Sequence, residues 1–171
     1  MTAALLSLAL VASGFQVPSE PPGVSAIRER YNGVKDSLCT SPDFYRTEIH
    51  VNPDDSPYPA LGHFQESIIL HWWSRAGESG LVMAVCNGGY AAHNEYTEVL
   101  YAEDGTPLFM LFSYGNDPET TFEERRWYLD GAEFHATGKM VTPDGEEYYE
   151  PYGFNAPRDP VYFLELFELI H

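Results

Sequence analysis

The stretch that decides the fold is residues 96–114, YTEVLYAEDGTPLFMLFSY. Two runs rich in β-branched and aromatic residues, Tyr96 to Ala102 and Leu108 to Tyr114, flank Glu103-Asp104-Gly105-Thr106-Pro107. Asp-Gly supplies the positive φ of a tight turn, so the segment reads as a β-hairpin. In the second run Leu108, Met110 and Phe112 fall on one side of a strand, and Phe109 and Leu111 on the other. Both sets are apolar. The strand is therefore expected to be central, with both of its faces covered.

Working outward, Phe122 to Leu129 (FEERRWYL) precedes Asp130-Gly131 and Ala132 to Thr137, and Asp144-Gly145 precedes Glu146 to Tyr149. Upstream, Ser67 to Ser74 (SIILHWWS) turns through Arg75 to Gly80 and returns as Leu81 to Cys86 (LVMAVC). Asn87-Gly88-Gly89 reads as a break and then a turn. Phe44 to Val51 (FYRTEIHV) alternates modestly, and Asn52 to Gly62, with Pro53, Pro57 and Pro59, reads as a loop. No connection has room for a crossover helix. An antiparallel meander of about six or seven strands is the natural topology.

A helix is expected at each end. Val24, Ile27, Tyr31, Val34 and Leu38 recur at spacings of three and four, one stripe of an amphipathic helix over 24–38. Asp159 is a good N-cap, Pro160 suits the first helical position, and Val161 to Ile170 (VYFLELFELI) follows. The class is α+β: an antiparallel meander sheet with an N-terminal and a C-terminal helix, in a single domain over 24–171.

Thr2 to Ala12 (TAALLSLALVA) is apolar or small, and Ala12-Ser13-Gly14 offers a signal-peptidase site. Residues 1–14 are read as a signal peptide, with the mature chain beginning near Phe15, and 15–23 as a tether containing Pro18, Pro21 and Pro22. No Lys or Arg precedes the apolar core, a departure from the usual signal. The location expected is periplasmic or secreted. Cys39 and Cys86 form an even pair, and in an oxidising compartment a disulfide between them would contribute about 2–4 kcal/mol. Two free thiols are the alternative.

The 171 residues carry 26 Asp+Glu against 9 Lys+Arg, a formal net charge of −17. That opposes nucleic-acid binding, which needs Lys and Arg to neutralise phosphates, and docking on anionic membranes. With 44% hydrophobic and 15% aromatic residues, the chain has the material of a core rather than of an acidic tail. No apolar run is long enough for a spanning helix.

EYTEVLYAEDGTPLFMLFSYGN followed by FEERRWYLDG, together with Ile27-Arg28-Glu29-Arg30-Tyr31, resembles a group of small exported bacterial proteins of unassigned function. The shared pattern is a strand ending in Tyr, a turn with Gly, an aromatic-rich strand and E-x-R-x-Y-x-x-D-G. It covers about half of the chain. Thr106-Pro107 stands where the group usually has Lys, and Ala132 follows Asp130-Gly131 as a second departure. The resemblance implies a helix plus an antiparallel sheet in an exported protein, and carries over no catalytic residue.

The six histidines, His50, His63, His71, His93, His135 and His171, make no zinc-binding spacing. His50, His71 and His135 are the ones that a sheet could bring to one face. Asp54-Asp55 and Asn116-Asp117 lack an EF-hand pattern. Glu123 with Arg125, and Glu124 with Arg126, read as ion pairs on opposite faces of one strand. No G-x-S-x-G and no phosphate loop occurs, and Gly88-Gly89 has no Lys-Ser/Thr after it. No metal or cofactor is expected.

Trp72, Trp73, Tyr101, Phe109, Phe112, Tyr114, Trp127 and Tyr128 all lie on expected strands. Neighbours such as Trp72 and Trp73 cannot enter one core, so either both faces are buried or an aromatic patch is left for recognition. Trp72, Trp73 and Trp127 are the candidate binding residues. The function expected is a non-catalytic periplasmic or secreted binding module for a protein or small-molecule partner of cationic character. The alternatives are an inhibitor of a cationic extracellular hydrolase, which −17 would steer, and a small hydrolase using carboxylates or His in a sheet cleft.

Overall fold

The helical stripes and β-rich runs form the elements that their periodicity dictates. The computed structural model describes residues 20–57, 62–90, 93–117, 120–149, 151 and 158–171. Helix α1 spans Val24–Ser37 and helix α2 spans Pro160–Ile170. Between them lie β1 (Phe44–Val51), β2 (Phe64–Arg75), β3 (Glu78–Tyr90), β4 (Asn94–Tyr101), β5 (Pro107–Asp117), β6 (Thr120–Leu129), β7 (Ala132–Thr142) and β8 (Gly145–Tyr149). They form one 8-stranded sheet in the order β1 to β8, each strand antiparallel to the next. The α+β meander is as expected, with more strands than the six or seven anticipated. No helix among the described residues is long and apolar enough to cross a membrane.

Residues 1–14, read as a signal peptide, and 15–19 of the tether lie outside the described residues. Residues 20–23 lead into α1: Val24 N–H donates to the Pro21 carbonyl at 3.3 Å, and Glu20 pairs with Arg28.

The turns follow their chemistry. Ala76-Gly77 (φ 52° and 88°) and Asp130-Gly131 (φ 51° and 78°) place both central residues in the left-handed region, as a two-residue hairpin requires. At the β4–β5 connection Asp104 Oδ1 accepts the Thr106 N–H at 3.0 Å. Asn87-Gly88-Gly89, read as a break and a turn, instead continues β3. Gly88 pairs with Glu66 and Gly89 with Gln65, and the Tyr90 ring lies against Gly88. Ladder hydrogen bonds on both sides outweigh the local weakness of glycine.

Both faces of the centre are covered. Phe163 and Phe167 of α2 pack on Ile68, Leu70, Ala84, Cys86, Val99, Tyr101, Met110 and Phe112. On the opposite face Val24, Ile27, Tyr31 and Val34 of α1 meet Leu100, Phe109, Leu111 and Trp127. A Phe buried this way contributes about 1.5–3 kcal/mol. Leu108 departs from the expected alternation. Phe109 pairs with Leu100 and Pro107 with Tyr101, so Leu108 is an extra, bulged residue, and it packs on the α1 side.

The expected disulfide is absent: Cys39 and Cys86 are both free. Cys86 points into the α2 core, whereas Cys39 is exposed just past the end of α1, on the opposite side of the sheet. Strand alternation, which set the direction of Cys86, is what separates them. Burial pushes the Cys86 thiol up to about 12, so it stays protonated and inert.

Candidate functional site

The sheet sorts the few cations. Of the 9 Lys+Arg, Arg28, Arg30 and Lys35 lie on α1. Arg46, Arg75, Arg125 and Lys139 lie on the sheet face that α1 covers, leaving Arg126 and Arg158 to the other side. In so acidic a chain almost every cation finds a carboxylate. Arg28 pairs with Glu20 and Arg46 with Glu48. Lys35 reaches Glu98 at 2.6 Å, Arg125 reaches Glu123 at 2.8 Å, and Lys139 reaches Glu146 at 3.2 Å. Arg126 meets Glu124 at 2.9 Å, and Arg158 meets Glu66 at 2.5 Å. The two Glu–Arg pairs of β6 thus lie on opposite faces, as the alternation predicts. Only Arg30 and Arg75 have no carboxylate partner among the described residues, and both line the same groove.

That groove, about 330 Å³, runs between α1 and the end of the sheet where β2 turns into β3 and β4 into β5. Arg30, Gly33, Val34 and Ser37 line it at the i, i+3, i+4, i+7 spacing of one helical stripe. Trp73 and Arg75, two apart on β2, reach the same face, and Phe44 enters from β1 as the cross-strand partner of Trp73. The Trp73 indole lies over Gly80, where a Cβ would come within 2.6 Å of the ring nitrogen. The Arg75 guanidinium stands 5.8 Å from the ring centre, a cation–π contact. Glu103, in the β4–β5 turn, adds one carboxylate at the rim. Guanidinium forks match carboxylate and phosphate oxygens, while the indole and phenyl rings offer planar apolar surface.

The three tryptophans do not meet. Trp73 lines the groove. Trp72 faces the α2 side, donating its indole N–H to Thr47 Oγ1 at 3.1 Å and stacking on Tyr45 at 4.7 Å. Trp127, 4% exposed, is a core residue packed on Phe109. His50, His71 and His135 do share a face, the α1 side, but β7 is five strands from β2, roughly 24 Å at ~4.8 Å per strand. Burial lowers the pKa of half-buried His71, and the nearby charges of Arg46 and Lys35 lower it further. Among the described residues no group of three or more His, Cys, Asp or Glu is placed to hold a metal ion.

Beside the groove, buried Glu98 anchors α1 to the sheet. It accepts hydrogen bonds from Tyr31 Oη, Tyr96 Oη and Lys35 Nζ. Burial first, and then Glu98 itself, raises both phenol pKa values, so the tyrosines are permanent donors here. On the other face His93 Nε2 lies 2.9 Å from Glu95 Oε1 between the Tyr90 and Tyr114 rings.

Sequence reasoning picked out Trp73 and missed Arg30, Arg75, Phe44 and Glu103. The stripe position of Arg30 and the shared parity of Trp73 and Arg75 were legible. That neither guanidinium meets a carboxylate among the described residues was not, because that depends on where every other carboxylate lies. No family model matches this chain, and neither a curated protein nor a solved structure is significantly similar to it.

Proposed function

We propose that this chain is an exported, non-catalytic binding module whose site is the groove between α1 and the β2–β3 end of the sheet. The ligand is a small anion, a carboxylate or phosphate, attached to a planar apolar body. One observation carries the reading: in a chain of net charge −17, the two arginines left without a carboxylate among the described residues line one groove beside Trp73. The groove volume falls within the roughly 300–1,000 Å³ of small-molecule sites. Each charge-assisted hydrogen bond to the anion contributes about 1.5–3 kcal/mol. The surrounding acidic surface repels the ligand at long range. Within the ~10 Å over which charges act in dilute salt, the two guanidiniums dominate. Export follows from the apolar N-terminal run, and sequencing the N-terminus of exported material tests that part separately.

The binding test follows the Trp73 indole N–H by NMR during titration with benzoate, phenyl phosphate and benzamide. Both anions should shift the signal saturably, with benzamide, which has the same ring without the charge, about tenfold weaker. Arg75→Gln should weaken the anions by about the same factor and leave benzamide unchanged. Gly80→Ala should push the indole into the groove and weaken all three probes. Equal affinity for benzoate and benzamide, or no saturable shift, would sink the proposal.

A further inference from the structure

The sheet is open, and the outer edge of β1 pairs with no strand among the described residues. This edge is eight residues long, without proline or glycine: Phe44-Tyr45-Arg46-Thr47-Glu48-Ile49-His50-Val51. A long bare edge is a template for another strand unless charge or a bulge blocks it. Here the charges do not simply block. Their order is self-complementary.

A two-fold axis normal to an antiparallel sheet brings together residues of the same face, so it passes through a residue and not between two. Through Arg46 or Glu48 the axis would set like charges opposite each other. Through Thr47 it sets Arg46 opposite Glu48 of the second copy, and Glu48 opposite its Arg46. It also sets Tyr45 opposite Ile49 and Thr47 opposite itself, favourable cross-strand combinations. The apolar surface agrees. Of the six large hydrophobic side chains most exposed among the described residues, Tyr45 (49%) lies on β1 itself and Ile170 (45%) at the end of α2. His171 sits against Trp72 and Thr47, which lays that end over β1 and β2.

We propose that β1 is the seam of a symmetric homodimer, in which Thr47 lies on the two-fold axis and the two sheets join as one. The occupant of the edge is a second copy of this chain. A heterologous strand has no reason to match the Arg46–Thr47–Glu48 order in reverse.

Sedimentation of the full chain tests the association, and charge reversal tests the register. The wild type should dimerise, Arg46→Glu should weaken the dimer by about tenfold or more, and Arg46→Glu with Glu48→Arg should restore it. Arg46 and Glu48 are exposed and Thr47 is half-buried, and circular dichroism checks that each variant is folded. In a Cys39→Ser background, Thr47→Cys should form a covalent dimer on mild oxidation, since two residues on the axis have Cα atoms about 4.5–5.5 Å apart. A monomer at every concentration would overturn the proposal. So would a folded double variant that fails to recover, or a dimer whose Thr47→Cys form does not cross-link.

Discussion

On the α2 side of the sheet the helix is seated by rings. Phe163 and Phe167 enter a core of aliphatic and aromatic side chains, and the Tyr101 hydroxyl closes the joint by donating to the Pro160 carbonyl at 2.6 Å. On the α1 side the helix is held at its middle by one buried carboxylate, Glu98, gripped by Tyr31 and Lys35. Room for a ligand follows from this contrast. A helix packed along its length by large apolar residues leaves no gap. A helix whose small apolar contacts, Val24, Ile27 and Val34, are joined by a polar grip at its middle does not have to touch the sheet everywhere. Beyond Tyr31, α1 turns Gly33, Val34 and Ser37 toward the sheet, and no side chain approaches the position a Gly33 Cβ would occupy. The groove opens there.

The largest expected effect breaks the ring-seated side. Phe163→Ala should cost about 3–5 kcal/mol in denaturant unfolding, because the cavity left under α2 cannot collapse. Val34→Ala, at a half-buried position of α1, should cost about 1 kcal/mol. Equal losses would erase the distinction between the two faces.

Next is the polar anchor. Glu98→Gln keeps the shape but removes the charge that Lys35 and two phenols address, and should cost about 2 kcal/mol. Lys35 is half-exposed and can turn to solvent, which keeps the loss below that of a fully buried pair. Binding of benzoate should weaken with it, since the anchor sets the position of Arg30. A variant as stable as wild type would show that apolar contacts alone hold α1.

The smallest effect is a pH dependence confined to the α1 side. Burial and the charges of Arg46 and Lys35 hold His71 below its ordinary value of 6.5. Between the lowered folded value and 6.5 the unfolded chain binds more protons, so stability rises with pH there. The stability is fully present above 6.5, falls as the pH drops through that window, and is level again below the folded value. His71→Gln should flatten this step in unfolding curves recorded across the window. An unchanged step would assign the dependence to other groups.

Much of the fold was legible because it is decided by neighbours in sequence. Asp130-Gly131 can enter the left-handed region cheaply, so its turn appears where the dipeptide stands. Asp159 caps α2 through its own side chain, accepting the Val161 N–H at 2.9 Å. The double apolar alternation of Leu108 to Phe112 required cover on both faces, and the two helices supply it. The reading failed where a partner from elsewhere in the chain overruled a local signal. Gly88 and Gly89 suit a break in isolation, but β2 on one side and β4 on the other draw them into the ladder. Leu108 lost its expected face because one extra residue in β5 is absorbed as a bulge against Leu100 and Tyr101.

For the candidate site, the sequence by itself determined which side chains share a helix stripe or a strand face, because those periods are set by backbone geometry. It placed Trp72 and Trp73 on opposite faces. Only the tertiary structure decided that Trp127 is core while Trp73 lines a groove, and that Cys39 and Cys86 lie on opposite sides of the sheet. The sign and size of the net charge were legible from composition. Which guanidiniums lack a carboxylate among the described residues was not, because a salt bridge depends on distances of a few ångströms between residues tens of positions apart, such as Lys35 and Glu98.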